Sequence, residues 1–389
     1  MSDLLKSFDG NADHEDTSLL MYNISLVYSK LGKYNEALDF LSRALDIGRS
    51  IYQNIEHPLI AQIRGGIGVA HSCLGECTSA LEYSTDSLEM FKSIFGKEAA
   101  HPKISAQYMN IGAVYLNMCE YQLALDHMTI ALNMAEELYG EDSNHIALAN
   151  YYSNIGAVYS KQNKYDTTLE YYNKSLNIQK VSSDGQSLAS LYHNFGLVYI
   201  SSGQYIEALK YLVIGLNINI GVFGVNSHHP DIANNYLNIA KVQNRLRNYE
   251  PALTNALKSL SMFKECYGET ANHSDLATNY YVIANAYTGQ AKYVAALEYA
   301  LKSLESFHAV HGVDAKHAYI ASTHLTIAAA YKGQAKYKEA LESAFKSLDI
   351  RKVIHGADTQ HSEIARAYVL VGDIYTCTGE YTPSITELS

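Results

Sequence analysis

Seven histidines are the residues in this chain most suggestive of chemistry. His57, His101 and His145, then His229, His273, His317 and His361, follow one another at intervals of 44 residues, apart from one gap. A series of imidazoles could bind metal or sense pH. Each, however, stands a full interval from the next, with no second ligand at zinc spacing. Several lie just before Pro or Ser, with Asp231, Asp275 or Glu363 in the following turn, which is how a helix begins. The series therefore predicts helix entries and no metal site.

Other candidates dissolve in the same way. His229-Pro230-Asp231 spells the tripeptide of chaperone J-domains, yet it occupies the same place as His57-Pro58 and His101-Pro102. Gly65-Gly66-Ile67-Gly68 is a fragment of a nucleotide loop that follows no strand and has His71 where the last glycine belongs. Cys73 and Cys77 lie four apart without His or Cys partners, as free thiols do. There is no nucleophile elbow, phosphate loop with its Lys, or carboxylate pair. No catalytic residue, cofactor or metal is expected, and the chain is not read as an enzyme. What remains is a recurring asparagine: Asn23, Asn110, Asn154, Asn194 and Asn238.

The whole composition narrows the partners. A net charge of −11 argues against nucleic acid, which demands a basic stripe. The most apolar stretch, Tyr211 to Val225, is short and broken by Asn217 and Asn219, so no membrane insertion is expected. The opening residues are polar and acidic with no apolar signal region, and the five Cys form an odd, scattered set. Both point to a cytoplasmic location with reduced thiols.

The elements that carry these residues come from an internal repeat. Tyr34, Tyr121, Tyr165, Tyr205, Tyr249, Tyr293, Tyr337 and Tyr381 recur, with Cys77 in the second slot, at intervals of 43 or 44 and once of 40. Nine before each stands a small residue, such as Gly68, Gly112, Gly156, Gly196, Ala240, Ala284 and Ala328, and three after it usually Ala. Six before it Tyr prevails, with His71 and Gln243 as exceptions. Apolar spacings of three and four predict two helices per repeat, and Gly32-Lys33 or Gly203-Gln204 supplies the turn between them. Small residues let the two backbones approach, and stacked neighbours complete a core that one hairpin cannot build.

The pattern Tyr192-His-Asn-Phe-Gly-Leu-Val-Tyr199 followed by Gly203-Gln-Tyr205-Ile-Glu-Ala208 resembles the tetratricopeptide repeat, over about residues 18 to 389. Linkers such as Phe223-Gly224 followed by His229-Pro-Asp-Ile-Ala233 lengthen the unit and resemble the kinesin light chain class of these repeats. The resemblance implies an all-α protein, a right-handed α-solenoid of about nine helical hairpins, the last cut short at Ser389. A polar segment over 1–17 precedes repeats one to four over 18–180 and repeats five to nine over 181–389, with a seam near 181–187.

In similar arrays the asparagine register faces the concave groove, where an amide can both donate to and accept from an extended peptide. The resemblance therefore implies a protein-interaction scaffold holding an extended or helical segment. Its contacts are expected at Asn23, Asn110, Asn150, Asn154, Lys161, Asn194, Asn234, Asn238, Lys241 and Arg245. Lys241 and Arg245, four apart, suit an acidic side chain of the ligand. Lys30, Lys332 and Asn117 lie in the same register group. A targeting arm of a larger enzyme and a kinesin light chain-like cargo adaptor are the alternatives.

The repeat register has a direct test. Ala296→Arg puts a charge into a small joint position and is expected to melt far below the parent in a thermal circular-dichroism scan. A variant that melts with the parent means the register is misplaced.

Overall fold

The computed structural model describes residues 14–379 except 54, 142, 183–184, 226, 270 and 357–360. Among these it contains seventeen helices and no strand. They are α1 (Glu15–Lys30), α2 (Tyr34–Tyr52), α3 (Pro58–Cys73), α4 (Cys77–Phe95), α5 (Pro102–Asn117) and α6 (Tyr121–Tyr139). Then come α7 (Ile146–Lys161), α8 (Tyr165–Ser182), α9 (Gly185–Ser201), α10 (Tyr205–Phe223), α11 (Pro230–Arg245) and α12 (Tyr249–Tyr267). The remainder are α13 (Ser274–Gly289), α14 (Tyr293–His311), α15 (Ala318–Gly333), α16 (Tyr337–His355) and α17 (Ser362–Thr378). Odd helices open a hairpin and even helices close it. The second helix expected for the ninth hairpin falls on residues 380–389, outside those described.

The chain forms two compact units, Met1–Asp184 with α1 to α8 and Gly185–Ser389 with α9 to α17. Within each unit every helix packs on the next in order, and successive odd helices also touch. The core of the second unit centres on Leu212, Ile239, Phe263 and Ile283, and the first contains a core on Met128, Leu148 and Ile155.

Each hairpin turns on one residue in left-handed conformation, two before the register position. Gly32, Gly75, Gly203 and Gly379 fill it, but so do Cys119, Asn163, Arg247, Ala291 and Ala335, at φ between 57° and 62°. The amide following that residue bonds back to the preceding helix, as from Lys33 to the Tyr28 carbonyl at 2.9 Å and Lys292 to Tyr287 at 2.9 Å. This closure satisfies carbonyls that the helix end leaves open.

Two contacts fix how the hairpin's helices cross. At the open end of five hairpins a buried hydroxyl donates to the opposite backbone across 26 residues, and in the fifth hairpin Gly215 stands in that place against Ala189. Ser87 reaches the Ala61 carbonyl at 2.6 Å, Ser259 reaches Ala233 at 2.8 Å and Ser303 reaches Ala277 at 2.9 Å. In two hairpins the partners are exchanged: Ser18 donates to Ala44 at 2.7 Å and Ser105 to Ala131 at 2.9 Å. The second contact lies nearer the turn, at the small residue. A Cβ on Gly112 would stand 2.6 Å from Met128 and 3.1 Å from the Ala124 carbonyl, and one on Gly196 would stand 2.6 Å from Leu212. Where Gly gives way to Ala, at Ala240, Ala284 and Ala328, the facing residue shrinks to Ala256, Ala300 and Ala344, all fully buried. A larger residue on one side is thus met by a smaller one on the other, as also where Gly156 faces Tyr172, while Gly68 faces the small Ser84.

Aromatic pairs close the turn end: Tyr28 on Phe40 at 5.2 Å, Tyr159 on Tyr171 at 5.5 Å, Tyr199 on Tyr211 at 5.2 Å. The two departures from Tyr are compensated. His71 stacks on Tyr83 at 5.7 Å, and Gln243 accepts from the Asn255 amide at 2.9 Å, an amide pair replacing a ring pair.

One helix among the described residues, α10, has the length and apolar composition to cross a membrane, with a mean hydropathy of 1.4. In the fold it closes the fifth hairpin and buries Ala208, Leu212, Gly215 and Leu216.

The crossing yields a prediction about paired volumes. Ala256→Leu alone overpacks the sixth hairpin and is expected to cost about 1–3 kcal/mol in chemical denaturation. Adding Ala240→Gly reproduces the Gly–Leu pair of the fifth hairpin and is expected to recover part of that loss, despite the roughly 1 kcal/mol helix penalty of glycine. A double variant less stable than the sum of the single ones would refute the paired-volume account.

Candidate functional site

The histidine series does what its position suggested. His57, His101, His145, His229, His273, His317 and His361 each precede a helix, and each Nδ1 accepts the backbone N–H two residues on, at 3.2 to 3.3 Å. His14 caps α1 in the same way at 3.2 Å, an eighth case that the spacing did not reveal. Each ring of the seven also stacks on the aromatic that ends the previous helix: Tyr52 on His57 at 3.7 Å, Tyr139 on His145 at 3.6 Å, Phe223 on His229 at 3.6 Å. In the last two linkers that aromatic is itself histidine, giving His311–His317 at 4.3 Å and His355–His361 at 3.7 Å. Among the described residues no three His, Cys, Asp or Glu side chains converge as metal ligands.

The expected binding residues divide between the two units. In the first, Asn23 on α1 and Asn150, Asn154 and Lys161 on α7 are exposed. Asn110 on α5 is half-buried beside Gln107. Asn117, near them in register, instead donates to the Ser72 hydroxyl at 3.0 Å and ties α5 to α3.

In the second unit α11 gathers Asn234, Asn238, Lys241 and Arg245 along one face. Two cavities open there. The larger, about 560 Å³, is lined by Lys241, Arg245, Tyr281, Asn285, Tyr319 and Arg366 among others. The smaller, about 340 Å³, has Asn234, Asn238, Lys241, Asp275, His317 and Tyr319 in its wall. Lys241 and Tyr319 belong to both, and the ammonium lies 5.9 Å over the Tyr319 ring. Asn194 on α9 is half-buried and lines neither.

Asn238 is not the exposed amide that the ladder suggests. Its residue is 8% exposed, its Oδ1 accepts from Lys241 at 3.3 Å, and its Nδ2 faces His193 Nε2 at 3.4 Å. The buried position follows from the stack, because α11 meets His193 of α9 on one side and packs on α13 on the other. Lys332, also expected to be available, is engaged with Asp373 at 3.0 Å. Sequence reasoning missed Tyr281, Tyr319, Arg366 and His193. Tyr319 carried a signal, since it stands two residues past the cap His317 and is the residue whose N–H that cap receives.

Charge in the larger cavity favours anions. Lys241, Arg245 and Arg366 contribute three cations, and its carboxylate, Glu363, is already held by buried Arg351 and by Arg366 at 3.1 Å. Those arginines pull the Glu363 carboxyl down against the opposing effect of its burial.

Several histidines are held below their ordinary value. Burial is the first cause for each: His101, with Lys103 adding to it, His317 with His311, and His355 with His361 and Arg351. His324 is pushed down to about 4 by burial, then by Lys346 and His308, and its Nδ1 is buried without a hydrogen-bond partner. A histidine with a lowered folded pKa binds fewer protons folded than unfolded. Its stabilisation is complete above the unfolded value of about 6.5 and is lost as pH falls toward the folded one. The apparent melting temperature is therefore expected to drop by roughly 5 °C or more between about pH 7.5 and about pH 5. His324→Leu is expected to show a smaller drop. A melting temperature flat across that window in calorimetry would contradict the burial argument.

The sequence profile of the tetratricopeptide repeat family matches residues 16–93, 104–180, 147–218 and 187–265. No curated protein matches the chain. Among solved structures, the apo quorum sensor NprR from B. thuringiensis aligns with 15% identity over 91% of this chain and 94% of its own, at a TM-score of 0.60. A Rap protein complexed with competence and sporulation factor aligns with 14% identity over 95% and 100%, at 0.55. BtubC (BKLC) from P. vanneervenii aligns with 18% identity over 61% and 93%, at 0.50. At these identities the likeness is one of fold.

Proposed function

Because the chain belongs to the tetratricopeptide repeat family, whose arrays are protein-interaction scaffolds, we propose that its second unit holds a segment of a partner protein carrying acidic side chains. The observation that carries this reading is the pair of adjoining cavities on the odd helices, with Lys241 in their common wall and Arg245 one turn along. The chain is acidic overall at −11, so a cationic cavity is a local exception that orients an anionic ligand.

The roles follow from the groups. Lys241 and Arg245 offer charge-assisted hydrogen bonds to a carboxylate. Asn234 and Asn285 offer amides to a peptide backbone, and Tyr281 offers a ring face to apolar side chains. In the first unit the exposed Asn150, Asn154 and Lys161 on α7 form a separate polar surface for the same kind of extended segment. The chain acts by binding and performs no chemistry. The Rap protein complexed with competence and sporulation factor supports the view that this fold accepts a ligand.

The test is a peptide-array screen with purified protein, followed by calorimetry on the best acidic peptide. Lys241→Glu with Arg245→Glu is expected to weaken that peptide about tenfold or more, and added salt to weaken the parent complex. Equal affinity of parent and double variant would remove these two residues from the site.

A further inference from the structure

The α11 face contains a chain of hydrogen bonds whose direction is set from one end. Lys241 is an ammonium and can only donate, so the Asn238 atom 3.3 Å from it is the amide oxygen. The Asn238 NH2 is then turned toward His193 Nε2, 3.4 Å away, and that nitrogen must accept. A neutral imidazole that accepts at Nε2 carries its proton on Nδ1. The Nδ1–H in turn donates to Asn235 Oδ1 at 3.0 Å. Asn235 is 1% exposed and Asn238 8% exposed, so water has little access to substitute for any link.

From this chain we propose that His193, through Asn238, is a positioning residue that holds the Lys241 ammonium at the wall shared by the two cavities. The idea deepens the acidic-ligand reading, since the held ammonium is the group that would meet the ligand's carboxylate. A lysine has four rotatable stem bonds, and a fixed acceptor beneath its head removes much of the ordering that binding would otherwise require. Two of the ammonium's three N–H groups remain for the ligand.

The surroundings keep His193 neutral, as the relay needs. Burial lowers its pKa; the Asn235 bond and Asp231 oppose this, and Lys241 adds to the lowering. Asp231 and Lys241 are both on α11, and α10 faces the His193 backbone with Gly215. A second proton on Nε2 would set two donors against each other at Asn238. The amide would rotate and turn its NH2 on the ammonium.

His193 also stands apart from the helix caps. The eight capping histidines accept at Nδ1 and so carry their proton on Nε2. The relay requires the opposite tautomer at His193. Ring-nitrogen NMR with 15N-histidine labelling distinguishes the two directly, and the His193 signal is identified by its loss in His193→Gln. The expected result is an Nδ1–H tautomer in the parent near neutral pH, lost or mixed in Lys241→Met, where nothing fixes the Asn238 amide. An Nε2–H tautomer in the parent, or no change in Lys241→Met, overturns the relay.

A binding measurement completes the test, with the acidic peptide chosen in the screen as probe. His193→Leu leaves Asn238 without its acceptor and is expected to weaken the peptide about three- to tenfold. His193→Gln, whose amide can donate to Asn235 and accept from Asn238, is expected to restore most of that affinity. Equal weakening by Leu and Gln, with helicity intact, counts against positioning. The tautomer experiment needs no ligand. A failed relay shows as the wrong tautomer, whereas a failed acidic-ligand reading shows as no peptide binding with the tautomer as expected.

Discussion

Everything in this chain rests on how closely two helices of one hairpin can cross. Near the turn the backbones come close enough that a Cβ on Gly112 would meet the Ala124 carbonyl at 3.1 Å. That distance calls for Gly where the facing residue is large and admits Ala where the facing residue is itself Ala. Gly accordingly faces Met128, Tyr172 or Leu212 in three hairpins and Ser84 in another, whereas Ala faces Ala256, Ala300 or Ala344. The open end of five hairpins obeys a similar exchange, in which one serine hydroxyl and one alanine face each other and either helix can hold the serine. Such a hydroxyl–carbonyl bond contributes only about 1 kcal/mol, so its value is as much in fixing the crossing point as in stability.

A fixed crossing creates the next requirement, which is to join one hairpin to the next without losing register. The linker does this with a single imidazole that performs two jobs. Its Nδ1 receives a helix's first free N–H, and its face covers the ring that ends the preceding helix. A serine or aspartate could cap as well but has no ring to stack. A phenylalanine could stack but could not accept. Histidine combines the two, which explains a periodicity that at first resembled a row of metal ligands. The fourth linker has no such histidine, and the chain's division into two compact units falls at Asp184 and Gly185.

The fold was legible because its determinants are local and repeated nine times in near-identical form. Tyr, small and Ala positions at constant offsets report the crossing directly. The turn was less so: the left-handed position was visible at Gly32 and Gly203 but hidden at Cys119, Arg247 and Ala291, where closure of the hairpin imposes a conformation that the residue does not favour. The site was legible only by register. Asn238 sits where a groove residue should, yet its amide is occupied by neighbours 45 and 3 residues away. Asn117 and Lys332 are likewise engaged by partners 45 and 41 residues distant. One register position contains both free and engaged amides, and what decides between them is the residue one repeat away, which periodicity averages out.

That dependence also explains why the polar groups of α11 form an ordered set. In an isolated helix Lys241 would be a solvated cation with many rotamers, and Asn238 a solvated amide. Packing α11 between α9 and α13 removes much of the water and leaves each group with whatever its neighbours supply. His193 from α9 reaches the Asn238 amide that the ammonium bonds, and Tyr319 from α15 lies beneath the ammonium itself, so its surroundings come from different repeats. A cation with so defined a surrounding does not need to be ordered anew by each ligand, and the proposed preference for carboxylates would then be a property of the stack. The same closeness that limits the hairpin to Gly and Ala at its crossing brings these side chains from different repeats within hydrogen-bonding reach.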